Sequence, residues 1–248
     1  MVRCARPCNP FIREHWSRIA DEWIAWARTP NHDAFWAYRE AFVKFVGSGE
    51  GSALEIGCGE GRISRELKKC GYRVTAADQV EAMIEAAREA ESADEYVVAA
   101  AMKLPFADKS FELVVAYNML MDVDDVPAAV KEMRRVLRPD GRLVISIVHP
   151  FADHGRFASR EADSPFVVTG TYLGRQRFEE TVERDGLRMR FAGWMQPLEN
   201  YVAALEEAGL AITSLREPAP TDSGGPANME RWRRWPMFLW MKARPLTD

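Results

Sequence analysis

A chain of 248 residues with 47% apolar and 28% charged side chains can bury one large core or two small ones. Its net charge of -4 argues against nucleic acid as a main partner, because phosphate binding needs a basic excess. No apolar run reaches the length of a membrane span, and the opening stretch "MVRCARPCNPFIREHW" lacks the apolar centre of a secretory signal, so a cytoplasmic protein is expected.

Residues 10–28 read as one amphipathic helix, with Ile12, Trp16, Ile19, Trp23 and Trp26 spaced by three and four. "TPNHD" breaks it, and a second helix is predicted over residues 34–46. An alternation follows: strand 53–56, helix 62–70 stopped by Gly71, strand 72–77 ending at Asp78, helix 80–91, strand 96–100 and strand 111–116. A helix over 126–137, closed by "RPDG", and a strand over 142–148 complete it. Strands alternating with helices imply parallel pairing through right-handed crossovers, and apolar runs such as "LVISIV" imply helices on both sheet faces. The result is a doubly wound α/β sheet.

The rhythm changes at residue 151. "RFEETVERDGLRMRFAGW" reads as a hairpin turning at Asp185-Gly186, a register that sets Glu183 opposite Arg188 and Val182 opposite Met189. A helix over 197–208, a strand over 211–215, a loop and a last strand over 237–243 follow. Four segments are expected: an N-terminal helical cap (1–49), a nucleotide-binding core (50–150), an inserted lid (151–196) and a C-terminal return to the sheet (197–248). Of the four cysteines, Cys4 and Cys8 read as ordinary thiols, because a metal site needs more ligands nearby than His15. No metal is expected.

The chemistry concentrates in "ALEIGCGEGRIS", where Gly57, Gly59 and Gly61 separate a strand from a helix. In an open parallel sheet a ligand sits at the carboxyl ends of the strands, and glycines let the backbone approach it. The helix that opens at Arg62 adds free N–H groups. A dinucleotide fingerprint would need glycine at position 62, which is arginine, and a triphosphate loop would need Gly-Lys-Ser/Thr. Asp78, ending the second strand, can accept hydrogen bonds from both ribose hydroxyls of an adenosine. Glu55 is an acid inside an apolar strand and needs partners, which loop amides or a ligand ammonium could supply.

Together, "ALEIGCGEGRISREL", "VTAADQVEAMIEAARE", "LPFADKSFELVVAYNML" and "RVLRPDGRLVISI" resemble the successive motifs of class I S-adenosylmethionine-dependent methyltransferases over roughly residues 50–150. The resemblance implies a seven-stranded, mostly parallel sheet with a reversed last hairpin. It implies S-adenosylmethionine as cofactor, with Glu55, Gly57, Cys58, Gly59 and Gly61 at its methionine end and Asp78 and Gln79 at the ribose. Ala100, Ala101 and Met102 would flank adenine, and Tyr117, Asn118 and Met119 would lie near the sulfonium. Many relatives carry an aspartate at the end of the third strand. Here "VVAAAMK" offers none, so adenine must be read by backbone groups or water.

Trp23 either packs in a core or covers the cofactor, as an aromatic residue on such an N-terminal helix does in many small-molecule relatives; both can hold. Cys58 reads as a small residue against the loop rather than as a nucleophile. His149, at the end of the fifth strand, is the candidate proton acceptor, against the alternative of a structural histidine beside Pro150. His154 and Asp153 follow on the same loop, and Asp122, Asp124 and Asp125 read as helix-start acids, of which Asp122 could reach the site. "RWRRWPMF" reads as a solvated turn leading into the last strand, with an anionic substrate group near it as the alternative. The expected activity is methyl transfer to O, N or C of a small, partly apolar acceptor. Its alternatives are a cofactor-binding protein that transfers no methyl group and a methyltransferase acting on tRNA or a carrier protein.

Overall fold

The computed structural model describes residues 11–221, 224–226 and 229–246. Cys4, Cys8 and the start of the predicted first helix lie outside them. The apolar runs form one seven-stranded sheet: β1 (Ser52–Ile56), β2 (Arg73–Asp78), β3 (Glu95–Val98), β4 (Phe111–Tyr117), β5 (Leu137–Val148), β10 (Leu210–Arg216) and β11 (Phe238–Pro245). Its order is β10-β11-β5-β4-β1-β2-β3. The pairs from β5 to β3 are parallel, whereas β11 runs antiparallel to both β5 and β10. Strand order reverses at β1, which lies between β2 and β4 with Ala53 beside both Val74 and Leu113. That switch point opens a crevice above the carboxyl ends of β1 and β4.

Helices cover both faces. α3 (Phe35–Val46), α4 (Arg62–Lys69) and α5 (Glu81–Glu89) close one side with Tyr38, Phe42, Ile63 and Leu67. On the other, α6 (Val126–Val136) and α8 (Leu198–Glu207) bury Val130, Met133, Tyr201 and Leu205. Asp125 caps α6 by accepting from the Ala128 N–H at 2.9 Å. Among the described residues no helix is long and apolar enough to cross a membrane.

Three elements differ from the sequence reading. The first helix is two, α1 (Phe11–Arg18) and α2 (Ala20–Arg28), broken at Ile19. Ile19 and Trp26 bury against Met189, whereas Ala20 buries against Val80 and Met83, so the segment must bend to serve two surfaces. "RPDG" does not simply close α6. Leu137 already pairs with Phe111, and residues 138–141 form an irregularity before Arg142 pairs with Leu113. The third strand ends at Val98, and Ala100 instead bridges back to Lys103.

Residues 151–196 stand outside the main sheet. α7 (Pro150–Asp153) leads into a short ribbon of β6 (Gly155–Phe157) and β7 (Phe166–Val168), then the long hairpin β8 (Gln176–Arg184) and β9 (Leu187–Met195). Glu183 faces Arg188 and Val182 faces Met189, and Asp185 and Gly186 both take positive φ, 51° and 80°, as a two-residue primed turn demands. The base of the hairpin docks on the chain leaving β4. Arg175 donates to the carbonyls of Val123 and Asp124 at 2.8 and 2.7 Å and lies over the Trp194 ring, whose Nε1 donates to Asp124 at 3.1 Å.

Candidate active site

A cavity of about 1310 Å³ lies above the carboxyl ends of β1, β2 and β4 and runs beneath the hairpin. Trp23, Glu55, Gly57, Cys58, Gly59, Asp78, Gln79, Ala100, Ala101, Met102, Tyr117, Asn118 and Met119 all line it. The structure therefore brings these residues to one place.

The floor is the loop after β1. Its turn is closed by Cys58 N–H donating to the Ala77 carbonyl at 3.0 Å and Gly61 N–H to the Cys58 carbonyl at 3.0 Å. Gly59 has φ +54°, and a methyl group there would lie 2.9 Å from Trp23 Nε1. The indole of α2 thus rests on the loop, and only glycine allows that approach. Arg62, the residue that breaks the dinucleotide spacing, pairs with Asp33 at 2.6 Å and lies 4.9 Å from the Trp23 ring centre and 4.4 Å from that of Phe35. It ties the loop to the N-terminal helices.

Asp78 stands at the end of β2. One carboxyl oxygen accepts from Gly59 N–H at 3.0 Å and the other from Val80 N–H at 2.9 Å. Burial pushes this carboxyl up, and backbone N–H groups pull it back. Asp78 lines the cavity, and a carboxylate has acceptor sites beyond those its backbone N–H partners occupy, which suits ribose hydroxyls. Glu55 is buried and accepts from Ser64 Oγ. Burial raises it to about 8, with Ser64 opposing and Glu60 adding to the shift. The charge of Arg65 pulls this acid down, but with less effect than burial, Ser64 or Glu60; an amino-acid ammonium would supply a further cation. The donor set and the open glycine floor fit S-adenosylmethionine.

The Glu55 shift fixes a direction. Its carboxyl titrates near 4.5 unfolded and about 8 folded. Between those values the folded state holds the extra proton, so stability falls as pH rises through the window. Glu55→Gln is expected to raise the ligand-free Tm at pH 8 and to leave it nearly unchanged at pH 4.5, measured by calorimetry. Parallel Tm profiles for the two proteins would contradict the raised carboxyl.

Two predicted residues, Gly61 and His149, lie away from the cavity lining, and Cys58 stands as the small loop residue expected. Gly61 does not line the cavity; it packs against Ser92 and Ala87. Cys58 lies in the cavity wall, but burial and the charges of Asp78 and Glu55 push its thiol well up, which disfavours the nucleophilic thiolate. His149 does not reach the cavity. Its Nδ1 caps α7 by accepting from Phe151 N–H at 3.1 Å, and its Nε2 meets Glu217 at 3.0 Å. It fits the structural histidine beside Pro150, because the turn into α7 carries its ring toward Glu217 and away from the cavity lining.

The hairpin and the loop before the last strand supply further lining residues. Phe178, Glu180, Val182 and Arg184 project from β8 at every second position, and Phe191 from β9. Strand alternation around the Asp-Gly turn carried that signal. Arg231 and Trp232, assigned to a solvated turn, also line the cavity, with Arg231 over the Phe157 ring at 4.8 Å. Asp122 and Asp153 line it as well.

Residues 54–145 match the family model of a methyltransferase domain. The chain is 38% identical over 93 residues to a malonyl-[acyl-carrier protein] O-methyltransferase of Erwinia pyrifoliae, covering 38% of this chain and 36% of that protein. It is 30% identical over 182 residues to the methyltransferase GfsG of Streptomyces halstedii, covering 70% of this chain and 58% of that one. The chain therefore spans less than two thirds of the length of these curated relatives. A crystal structure of an S-adenosylmethionine-dependent methyltransferase from Mesorhizobium loti superposes with a TM-score of 0.65 at 24% identity, over 85% of this chain and 97% of that one. With its glycine loop, strand-end aspartate and reversed final hairpin, the chain carries a methyltransferase domain on the class I S-adenosylmethionine-dependent methyltransferase fold.

Proposed function

We propose that this protein transfers the methyl group of S-adenosylmethionine to a small, partly apolar organic acceptor held in the same cavity. The observation that carries this reading is the cavity's size and lining. Sites for one drug-sized ligand run to roughly 1,000 Å³, and this one, at about 1310 Å³, continues past the cofactor-type residues into an aromatic chamber under the hairpin. Phe157, Phe178, Phe191 and Trp232 line that part.

The chain's part in catalysis is placement. Asp78 holds the ribose, Glu55 and the loop hold the amino-acid end, and Ala100 to Met102 flank the adenine through backbone groups. When bound, the cofactor supplies a methyl group already activated by its sulfonium. Trp23 on α2 and the β8–β9 hairpin act as covers that exclude water and fix the acceptor in line. Segments 1–49 and 151–196 accordingly serve as cap and lid on the core formed by 50–150 and 197–248.

A second reading keeps the acceptor on a carrier protein. It is favoured by the similarity to the malonyl-carrier enzyme and by Arg156 and Arg231 in the cavity wall, which suit an anionic tether. Incubating the protein in a cell extract with methyl-labelled cofactor separates the two. Label in low-mass products is expected; label confined to a protein band would favour the carrier. If neither S-adenosylmethionine nor S-adenosylhomocysteine binds in a calorimetric titration, both readings fail.

A further inference from the structure

The cavity contains two carboxylates that the cofactor-type residues do not use. Asp122 follows the end of β4, and Asp153 ends α7. Both line the cavity, and neither accepts a hydrogen bond or meets a cation among the described residues. The charged and titratable groups around them are known. Asp78 on β2 faces Asp122, and Tyr201 on α8 faces both. Arg175 acts on Tyr201 but spends its guanidinium on the carbonyls of Val123 and Asp124. Asp124 is engaged by Trp194 Nε1. Two acids therefore face one chamber without compensation, which is costly unless they are protonated or a ligand neutralises them.

A second observation lies beside them. His154 is 6% exposed, lines the same wall, and its Nε2 has no partner among the described residues. An orphaned buried nitrogen seeks a ligand atom. Two carboxylates and an imidazole nitrogen give three acceptors on one chamber, and a primary ammonium carries three N–H donors. An alcohol has one donor and no charge, and a carboxylate acceptor would be repelled.

We infer that the methyl acceptor is a primary amine, bound as its ammonium by Asp122, Asp153 and His154. This rests on the methyltransferase reading above and names the acceptor class within it. The ammonium carries no lone pair and cannot attack. One N–H bond breaks and an O–H bond forms on the Asp122 or Asp153 carboxylate, leaving the electron pair on nitrogen; the N–C bond then forms as the methyl–sulfur bond breaks, the sulfur keeps that bond's electrons, and S-adenosylhomocysteine leaves. The two carboxyls suit that task. Burial and the charges of Asp78 and Asp153 raise Asp122 well above its usual range, and burial raises Asp153 to about 8. Asp153 therefore holds its proton near neutral pH and gives it up when a cation arrives, and the Asp122 carboxyl is shifted in the same direction.

Calorimetric titration of the full chain with benzylamine, benzyl alcohol and benzoate, each with and without saturating S-adenosylhomocysteine, tests this. Binding of S-adenosylhomocysteine itself reports separately on the cofactor reading. Benzylamine is expected to bind, and the alcohol and benzoate at least about tenfold more weakly, as loss of a buried charge pair implies. Benzylamine affinity should rise by up to about tenfold per pH unit between pH 6 and 8, with release of protons measured across buffers of different ionisation enthalpy. Asp153→Asn and Asp122→Asn should each weaken benzylamine by about tenfold or more, with S-adenosylhomocysteine affinity retained as the check on folding. Benzyl alcohol or benzoate binding as tightly as benzylamine would overturn the inference on the wild-type protein alone, as would benzylamine affinity that ignores pH.

Discussion

Asp78→Asn is expected to weaken S-adenosylhomocysteine binding by about a hundredfold or more, because two charge-assisted hydrogen bonds to ribose hydroxyls carry roughly 1.5–3 kcal/mol each. The substitution keeps volume and shape. It converts one carboxyl oxygen into an NH2 group, which now faces a backbone N–H, of Gly59 or of Val80, in place of an acceptor. The protein should still fold, with Tm lowered by only a few degrees, since the site lies at a strand end outside both hydrophobic cores. Calorimetry and the ligand-induced rise in Tm both read the effect. An affinity within threefold of wild type would remove Asp78 from the cofactor site.

Gly61→Val is expected to damage folding rather than binding. Gly61 has φ +87°, and a Cβ there would lie 2.4 Å from Ser92 Cβ and Oγ and 3.1 Å from Ala87 Cβ. Ser92 is fully buried and Ala87 sits on α5, so neither can yield without shifting the turn that follows that helix. A branched residue forced into the left-handed region adds strain to the overlap. Together these cost about 3 kcal/mol or more, or roughly a 10 °C fall in Tm for a chain of this size. The fraction that folds should bind S-adenosylhomocysteine far better than Asp78→Asn does. If binding is lost while Tm is unchanged, Gly61 faces the ligand after all.

The sheet, the hairpin register and the cofactor end of the cavity were legible in the sequence because each is written locally. Alternating apolar runs, a glycine loop and an Asp-Gly turn between compatible pairs give periodicity and turn chemistry within a few residues of one another. The acceptor end was less legible. His149 sits at a strand end that points to the crevice, yet the following helix turns its ring toward Glu217. Asp153, four residues on, ends that same helix turn and lines the cavity. Backbone direction can be read from a pattern, whereas a side chain's direction after a short helix depends on what the helix packs against. The same limit hid the break at Ile19, which arises from packing on Met189 and on Val80, residues distant in the chain. "RPDG" reads as a turn, but its strand assignment depends on the pairing of Leu137 with Phe111.

The β8–β9 hairpin forms its own two-stranded sheet and adds no hydrogen bond to the seven-stranded one. Its even-numbered positions 176 to 184 line the chamber, while 177, 179, 181 and 183 do not. Inheritance can therefore act on the two separately. On the proposed reading, a point mutation at Phe178, Glu180 or Val182 would alter which acceptor is tolerated while the seven-stranded sheet keeps its pairing. A lineage could diversify its substrates along one strand, one side chain at a time, and keep the same methyl donor throughout.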